Sequence, residues 1–253
     1  YLKNLFPESL SGRKFLYYLP PLSFREYLYF HDKISQSEAE KIDLESAKRT
    51  NDAIKFTKYE EEYARYLRYG GFPEVVMTDE IETKTQILKN IFASFFEKDL
   101  KILADYSDIR ELRDLILLLV PRVGSMLDVT KLASELGVAR TKIYSYLEFL
   151  QGVFFIRLTP KYAKGVDRSV AAGRRVYFTD TGILNTVGNV NDAQLFENAV
   201  VNQLSDYGAL SFYNYRNTAE IDIILNKKFA FEIKLTGTAA DVKKVKELAH
   251  KIG

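Results

Sequence analysis

The sequence predicts an α/β chain of more than one domain, with a mostly helical first half and an α/β second half. Three patterns predict this. Apolar residues recur at helical spacing between residues 80 and 120, Gly137 separates two short amphipathic segments, and polar and apolar residues alternate between Glu220 and Leu235. Helical periodicity therefore dominates the first 150 residues, and strand periodicity becomes frequent after them.

Length and composition are those of an ordinary globular protein. The chain has 253 residues, 47% hydrophobic and 28% charged, and its net charge of +2 does not by itself indicate a nucleic-acid partner. Cysteine is absent, which excludes disulfides and thiolate metal sites and predicts a cytoplasmic setting. The longest apolar run, Leu115 to Val120, is far shorter than the roughly 18 residues of a membrane span, so we expect no membrane partner.

Several helices are predicted in the first 120 residues. Ser23 and Glu26 have the spacing of a capping box shortly after Pro20-Pro21, which marks a helix start. A later helical pattern stops at the Gly70-Gly71 pair, because glycine is a common helix terminator. Residues 31–62 are charge-rich without a dominant sign and are typical of a solvated helix or loop.

Residues 121–165 predict a winged helix-turn-helix. Asp128 can cap a short helix, Gly137 supplies a left-handed turn, and a second helix begins near Ala139. A predicted strand from Val153 to Thr159 follows, and this order of elements is that of the motif. A winged helix that only packs against its neighbours has the same pattern, so DNA binding and packing both remain open.

If this module binds DNA, two sets of side chains are the candidates. Residues of the second helix would face the major groove, and arginines of the basic stretch that follows would contact phosphates. The groove candidates are Arg140, Lys142, Ser145 and Tyr146, and the phosphate candidates are Arg168, Arg174 and Arg175. Binding should then weaken steeply with salt, because phosphate contacts release counterions.

The C-terminal region contains a predicted hairpin with an acidic face. Antiparallel pairing through the loop Asn226–Lys228 sets Asp222 opposite Glu232 and Glu220 opposite Lys234, with side chains roughly 5 Å apart. The opposite face is apolar and carries Ile221, Ile223, Leu225, Phe229, Phe231, Ile233 and Leu235. The arrangement suits a hydrolytic magnesium site, although a solvated strand face with ordinary cross-strand ion pairs has the same pattern.

Motifs along nearly the whole chain resemble a family of archaeal and bacterial AAA-type, STAND-related ATPases. They are Gly12-Arg13, Pro21 to Tyr27, Gly70 to Pro73, Tyr177 to Gly182, Glu197-Asn198, Tyr215-Arg216, Glu220 to Asp222 and Glu232 to Lys234. The resemblance implies a P-loop module, a helical lid, a winged helix and a C-terminal domain of the PD-(D/E)XK nuclease type. We therefore expect the end of the ATPase module and lid in residues 1–120, the winged helix in 121–165 and the nuclease-like domain in 166–253.

One departure from this family is the missing phosphate-binding loop. No G-x-x-x-x-G-K-[ST] motif occurs in the sequence, so these residues alone are expected neither to bind ATP tightly nor to hydrolyse it. ATP would bind only to the intact protein, through its P-loop module. The sequence begins with Tyr1 and stops one helix after Lys234, so we expect a piece of a longer protein, truncated at both ends.

The resemblance also implies roles for individual residues of the nuclease-like domain. Asp222 and Glu232 would hold Mg²⁺, Lys234 would act on the attacking water, and Glu197 would be a third acid of the site. Arg216 would contact a phosphate with its guanidinium fork.

In the ATPase part, Gly71 and Pro73 would line the nucleotide pocket of the intact protein, and Arg13 would sense a phosphate. A plain helix stop and a surface ion pair are the alternative interpretations of these residues.

Three functions remain open at this point. The first is an ATP-regulated protein that binds DNA and has an inactive nuclease fold. The second is a Mg²⁺-dependent DNA endonuclease that uses Asp222, Glu232 and Lys234. The third is a protein-interaction or signalling module without a nucleic-acid partner.

Overall fold

The computed structural model describes residues 19–40, 42–45, 57–96, 106–163, 173–215 and 219–252. Arg13, Arg168 and Arg216 lie outside the described residues. The helices are α1 (Phe24–Phe30), α2 (Gln36–Ala39), α3 (Glu60–Tyr69), α4 (Pro73–Val76), α5 (Ile81–Ser94), α6 (Tyr106–Leu119), α7 (Val129–Leu136), α8 (Arg140–Gly152), α9 (Thr181–Val187), α10 (Asp192–Ser205) and α11 (Ala239–Ile252). The strands are β1 (Ile156–Pro160), β2 (Arg174–Phe178), β3 (Leu210–Tyr215), β4 (Ala219–Leu225) and β5 (Phe229–Phe231).

The chain is mixed α/β, as predicted. Over the described part of the chain, the residues before β1 form helices and turns, apart from two isolated bridges that pair Val123 and Met126 with β2. The capping box that starts α1 is confirmed, since the Ser23 hydroxyl accepts from the Glu26 amide and the Glu26 carboxylate accepts from the Ser23 amide. The predicted stop of α3 is confirmed as well, at Gly70 with φ of 75°.

The two helices predicted around Gly137 are present. Asp128 caps α7 by accepting from the Lys131 amide at 2.9 Å, and Gly137 is left-handed with φ of 69°. The predicted strand from Val153 was wrong in its first three residues. The strand begins at Ile156, because the chain first turns through Phe154, whose φ is 59°.

An antiparallel ribbon of β1 and β2 follows the two helices. Its register runs from Ile156 opposite Phe178 to Pro160 opposite Arg174. This ladder joins strands on both sides of the domain boundary predicted at residue 165, and the boundary itself stays a prediction.

The second sheet has the antiparallel order β3-β4-β5. The predicted three-residue loop is confirmed, since Leu225 pairs with Phe229 and the chain turns back through Asn226 and Lys227, both with positive φ. The predicted ladder beyond Phe231 was wrong, because β5 ends at that residue.

The carboxylate of Asp222 replaces the lost ladder contact by accepting from the Ile233 amide at 2.8 Å. Glu220 consequently contacts Arg175 rather than the predicted Lys234. Leu235, which was predicted on the apolar face, is 57% exposed.

A shared hydrophobic core joins the helical half to both sheets. It contains Leu115 of α6, Ile143 of α8, Phe178 of β2 and Ile223 of β4, all with 0% exposure. A smaller cluster packs α11 onto β4 through Leu248 and two isoleucines. None of the helices in the described ranges combines the length and the apolar character needed to cross a membrane.

Candidate functional site

Helix α10 places Glu197 above the end of β2. The side chain of the next residue, Asn198, is fully buried and bonds both backbone groups of Phe178, accepting from its amide at 2.8 Å and donating to its carbonyl at 2.9 Å. This double contact fixes α10 against the strand. Glu197 is thereby held next to the Arg175 and Tyr177 side chains of β2.

Both of these side chains contact Glu197. The Tyr177 hydroxyl donates to Glu197 Oε1 at 2.8 Å, and the Arg175 Nη1 lies 4.0 Å from the same oxygen. Residues 175 and 177 share one face because side chains alternate along a strand. Arg175 is only 5% exposed, so its guanidinium lies inside the protein rather than at the surface.

The acidic residues of β4 reach the same guanidinium. Asp222 Oδ1 lies 3.7 Å from Arg175 Nη1, and Glu220 forms an ion pair with Nη2. The guanidinium lies over the ring of Phe212 of β3, with 4.6 Å between its carbon and the ring centroid. Asp222 and Glu197, which the resemblance assigns to one site, therefore both lie against the same guanidinium, whereas the arginine between them was not foreseen.

Glu232 lies after β5 and is paired with two lysines. Its Oε1 is 3.1 Å from Lys244 Nζ and 3.3 Å from Lys234 Nζ, whereas its buried Oε2 has no hydrogen-bond partner. Lys234 also forms an ion pair with Asp241 of α11. The hydrogen bond from Lys234 holds the pKa of the Asp241 carboxyl below its usual value.

Burial raises the pKa of both inner acids. For Glu197 and for Asp222, loss of hydration is the largest cause, and the negative charge of Glu232 raises both pKa values further. Hydrogen bonds from Tyr177 to Glu197 and from the Ile233 amide to Asp222 act in the opposite direction. Perturbed carboxyls of this kind are concentrated at functional sites, although structural ion-pair networks produce them too.

The residues at this site do not fit a magnesium ion in this arrangement. Each predicted ligand already faces a protein cation, Asp222 facing Arg175 and Glu232 facing Lys234 and Lys244. Mg²⁺ requires oxygen ligands at about 2.0–2.1 Å in near-octahedral geometry. In the described ranges, no group of three or more histidine, cysteine, aspartate or glutamate side chains is placed to hold a metal ion.

The two glycine-containing motifs meet at a different place. Gly71 donates its amide to Asp180 Oδ2 at 2.8 Å, and Asp180 Oδ1 accepts from the Ile183 amide at 2.9 Å. Asp180 is thereby the N-cap of α9. Gly71 is packed against Leu22, whose backbone oxygen would lie 2.2 Å from an added Cβ.

The two predicted nucleotide-pocket residues in the described ranges, Gly71 and Pro73, differ in exposure. Gly71 is buried between Leu22 and Asp180, while Pro73 is exposed in the first turn of α4. The role of these residues toward ATP stays a prediction.

Some of the predicted DNA contacts are exposed and others are held in ion pairs. Arg140, Ser145 and Tyr144, the last of which was not among the candidates, are exposed on α8, and the Ser145 hydroxyl donates to the Thr141 carbonyl of the same helix at 3.2 Å. Lys142 forms ion pairs with Asp108 at 2.8 Å and with Glu111 at 2.6 Å.

The Tyr146 hydroxyl lies against the same two carboxylates of α6, at 2.9 and 2.7 Å. Arg174 is half-buried at the end of the ribbon. Arg175, predicted to contact a phosphate, is instead buried among the acids of the site.

Sequence reasoning missed several residues of the site. Tyr177 could have been found, because it shares a strand face with Arg175 and lies two residues away. Lys244 and Asp241 lie on α11, and their contacts with the hairpin depend on how that helix docks. No sequence pattern specifies that docking.

Comparison with known families gives a match over the centre of the chain. Residues 60–194 match the family described as a domain of unknown function, DUF8612. The chain belongs to this family. The matched residues contain the glycine motif at Gly70, the α7–α8 helix pair and Asp180, and they end three residues before Glu197.

Two curated relatives extend the similarity of this DUF8612 chain to almost its whole length. An uncharacterized protein of Haemophilus influenzae is 29% identical over 239 residues, which are 88% of this chain and 55% of the relative. The uncharacterized protein MJ1544 of Methanocaldococcus jannaschii is 25% identical over 252 residues, 93% of this chain and 54% of the relative. The chain thus spans about half the length of these relatives. No solved structure matches it.

Proposed function

We propose that this chain is the C-terminal part of a nucleotide-switch ATPase that binds DNA through its winged helix. A nuclease-like domain that does not cut DNA would lie beside that winged helix. In the intact protein, ATP bound to the P-loop module would change the position of the lid and winged helix. The length of the curated relatives, about twice the aligned region, leaves room for such a module.

One observation carries the DNA-binding part of the proposal. Helix α8 follows a helix and a left-handed glycine turn, precedes an antiparallel ribbon, and keeps an outer face with Arg140, Tyr144 and Ser145 exposed. A recognition helix of a winged helix-turn-helix occupies the equivalent place and presents such side chains to the major groove. Arginine and tyrosine are suitable for that contact, since both donate hydrogen bonds to phosphates and base edges.

The absence of cutting is supported by the cations of the acidic site. Arg175, Lys234 and Lys244 lie against the carboxylates that would otherwise hold a metal ion. The nuclease-like domain would then act as a docking element beside the winged helix.

Salt-dependent DNA binding by the full 253-residue chain tests the first part. Fluorescence anisotropy with a labelled duplex should show log Kd rising linearly with log salt, and Arg140→Ala, which removes a major-groove contact, should weaken binding by about 1–3 kcal/mol. Arg113→Ala is the matched control, because Arg113 is an exposed arginine on a different helix, α6. A flat salt dependence, or equal loss in both variants, would instead support the protein-interaction function.

One observation favours the second candidate, a Mg²⁺-dependent nuclease. Glu232 Oε2 is buried without a hydrogen-bond partner, which is costly unless something else contacts it. Plasmid nicking in Mg²⁺ tests this candidate directly. Cutting that disappears in Asp222→Ala and in Lys234→Ala, with DNA affinity preserved, would establish the nuclease, whereas intact plasmid would support the non-cutting proposal.

A further inference from the structure

Arg175 is the best-buried cation of the acidic site. It is 5% exposed, and its guanidinium contacts carboxylates from two different elements, Glu197 of α10 and both Glu220 and Asp222 of β4. The ring of Phe212 lies beneath the guanidinium. The side chain is therefore held in one place by ion pairs and by an aromatic contact.

This placement makes the guanidinium a competitor of any divalent ion. Nη1 lies within 4.0 Å of both Glu197 Oε1 and Asp222 Oδ1, the oxygens that an ion bridging α10 and β4 would need. The guanidinium supplies one positive charge between these two acids. Unlike a bound ion, the guanidinium is covalently attached to the chain and cannot dissociate.

We propose that Arg175 is a built-in cation that takes the place of a divalent metal between Glu197 and Asp222. The wild-type chain therefore binds no Mg²⁺ or Mn²⁺ at these acids. Removal of the guanidinium leaves Glu197, Glu220 and Asp222 without this counter-charge, so that these acids gain affinity for divalent ions. This inference deepens the non-cutting part of the proposed function and does not depend on DNA binding.

Mn²⁺ titration of the full chain, followed by calorimetry and by thermal unfolding, tests the inference without any activity readout. Arg175→Gln should bind Mn²⁺ at least about tenfold more tightly than the wild type, because a unit charge about 4 Å from each oxygen is gone. Its unfolding temperature should rise on addition of Mn²⁺, since an ion that binds only the folded state stabilises it. Adding Asp222→Asn to Arg175→Gln should remove both effects.

Arg174→Gln is the matched control, because it removes the same charge from the neighbouring position of β2. Arg174→Gln should bind Mn²⁺ with the affinity of the wild type, and an increase in affinity equal to that of Arg175→Gln would overturn the inference. Arg175→Lys keeps a cation, so its affinity for Mn²⁺ should increase less than that of Arg175→Gln.

If Arg175→Gln does not fold, Mn²⁺ binding by the wild-type chain tests the inference instead. Stoichiometric Mn²⁺ binding by the wild-type chain that is lost in Asp222→Asn would overturn it, and absence of such binding would support it. Loss of salt-dependent DNA binding would affect only the proposed function, since neither Mn²⁺ result depends on it.

Discussion

Asp180 and the acids of the candidate site have different kinds of partners. Asp180 is 3% exposed, and both of its oxygens accept hydrogen bonds from backbone amides, those of Gly71 and Ile183. Glu197, Asp222 and Glu232 are half-buried and lie against long cationic side chains. Only one oxygen of Asp222 accepts from a backbone amide, that of Ile233, and one oxygen of Glu232 has no hydrogen-bond partner.

The difference separates a structural acid from a candidate functional one. Backbone amides are fixed by the fold, so Asp180 joins α3, α4 and α9 into one arrangement and needs nothing else. Arginine and lysine side chains are adjustable partners that a ligand can replace. A buried acid is therefore not evidence of function by itself, whereas an incompletely satisfied one is a candidate.

The largest expected effect is the loss of stability in Asp180→Ala. Two buried amides, of Gly71 and Ile183, lose their acceptor, and the change should lower the free energy of unfolding by about 3 kcal/mol. Asp128→Ala is the matched control, because Asp128 is also a helix N-cap but is exposed, and it should cost only about 1 kcal/mol. Urea unfolding of both variants measures the difference. Equal losses would remove the distinction between the two groups of acids.

Titration of Asp180 should also make the free energy of unfolding depend on pH, by about as much as Asp180→Ala lowers it. Burial raises the pKa of Asp180 to about 6 in the folded protein, against 3.8 as the ordinary value. The folded state therefore binds a proton more tightly than the unfolded state between these values, and stability should fall as pH rises through this window, by about 3 kcal/mol. Raised pKa values at Glu197 and Asp222 act in the same direction.

The difference between wild type and Asp180→Asn, measured by urea unfolding from pH 4 to pH 7, isolates the contribution of this one residue. The difference should change with pH in the window just given. If it stays constant, Asp180 does not titrate there, and its amide partners hold it ionised throughout.

Substitution by alanine should destabilise the protein more at Gly70 than at Gly137, because only Gly70 lies against Asp180. An added Cβ at Gly70 would lie 2.3 Å from both Asp180 oxygens, whereas at Gly137 it would meet nothing within 4 Å. The backbone adds to this difference, because Gly70 has ψ of −164°, a region open essentially only to glycine, whereas Gly137 has ψ of 29° in the αL region. Gly137→Ala should cost about 1 kcal/mol and Gly70→Ala at least about 2 kcal/mol more, from the contact with the carboxylate and from the backbone. A thermal unfolding scan of the pair decides this, and equal costs would show that Asp180 moves aside freely.

Local sequence signals predicted much of the fold. The capping box at Ser23, the left-handed turn at Gly137 and the three-residue loop after Leu225 depend on neighbouring residues, and all three are present. The end of β5 at Phe231 was missed, because it depends on the Asp222 carboxylate capturing a backbone amide from the other strand. No alternation of polar and apolar residues predicts such a hydrogen bond between a side chain and the backbone.

The acids of the candidate site were predicted as a group, but the arginine among them was not. Alternation in β4 placed Asp222 on a polar strand face, and the family resemblance added Glu197 as a third acid. Arg175 was expected at the surface because it lies in a basic stretch, yet it is buried. Its partners come from α10 and β4, more than 20 residues later in the chain, so the basic stretch alone gave no signal of them.

The smallest expected effect on stability is that of Glu232→Gln. Since Glu232 Oε2 has no partner and its lysine contacts involve exposed side chains, the substitution should change the free energy of unfolding by less than about 1 kcal/mol. Asp180→Asn is the comparison variant, because an amide there places a donor group against the Gly71 amide or the Ile183 amide. Urea midpoints at pH 7 compare the two. A loss at Glu232 as large as that at Asp180 would mean that the lysine pairs are structural, and the acidic site would then belong with Asp180 among the groups that only stabilise the fold.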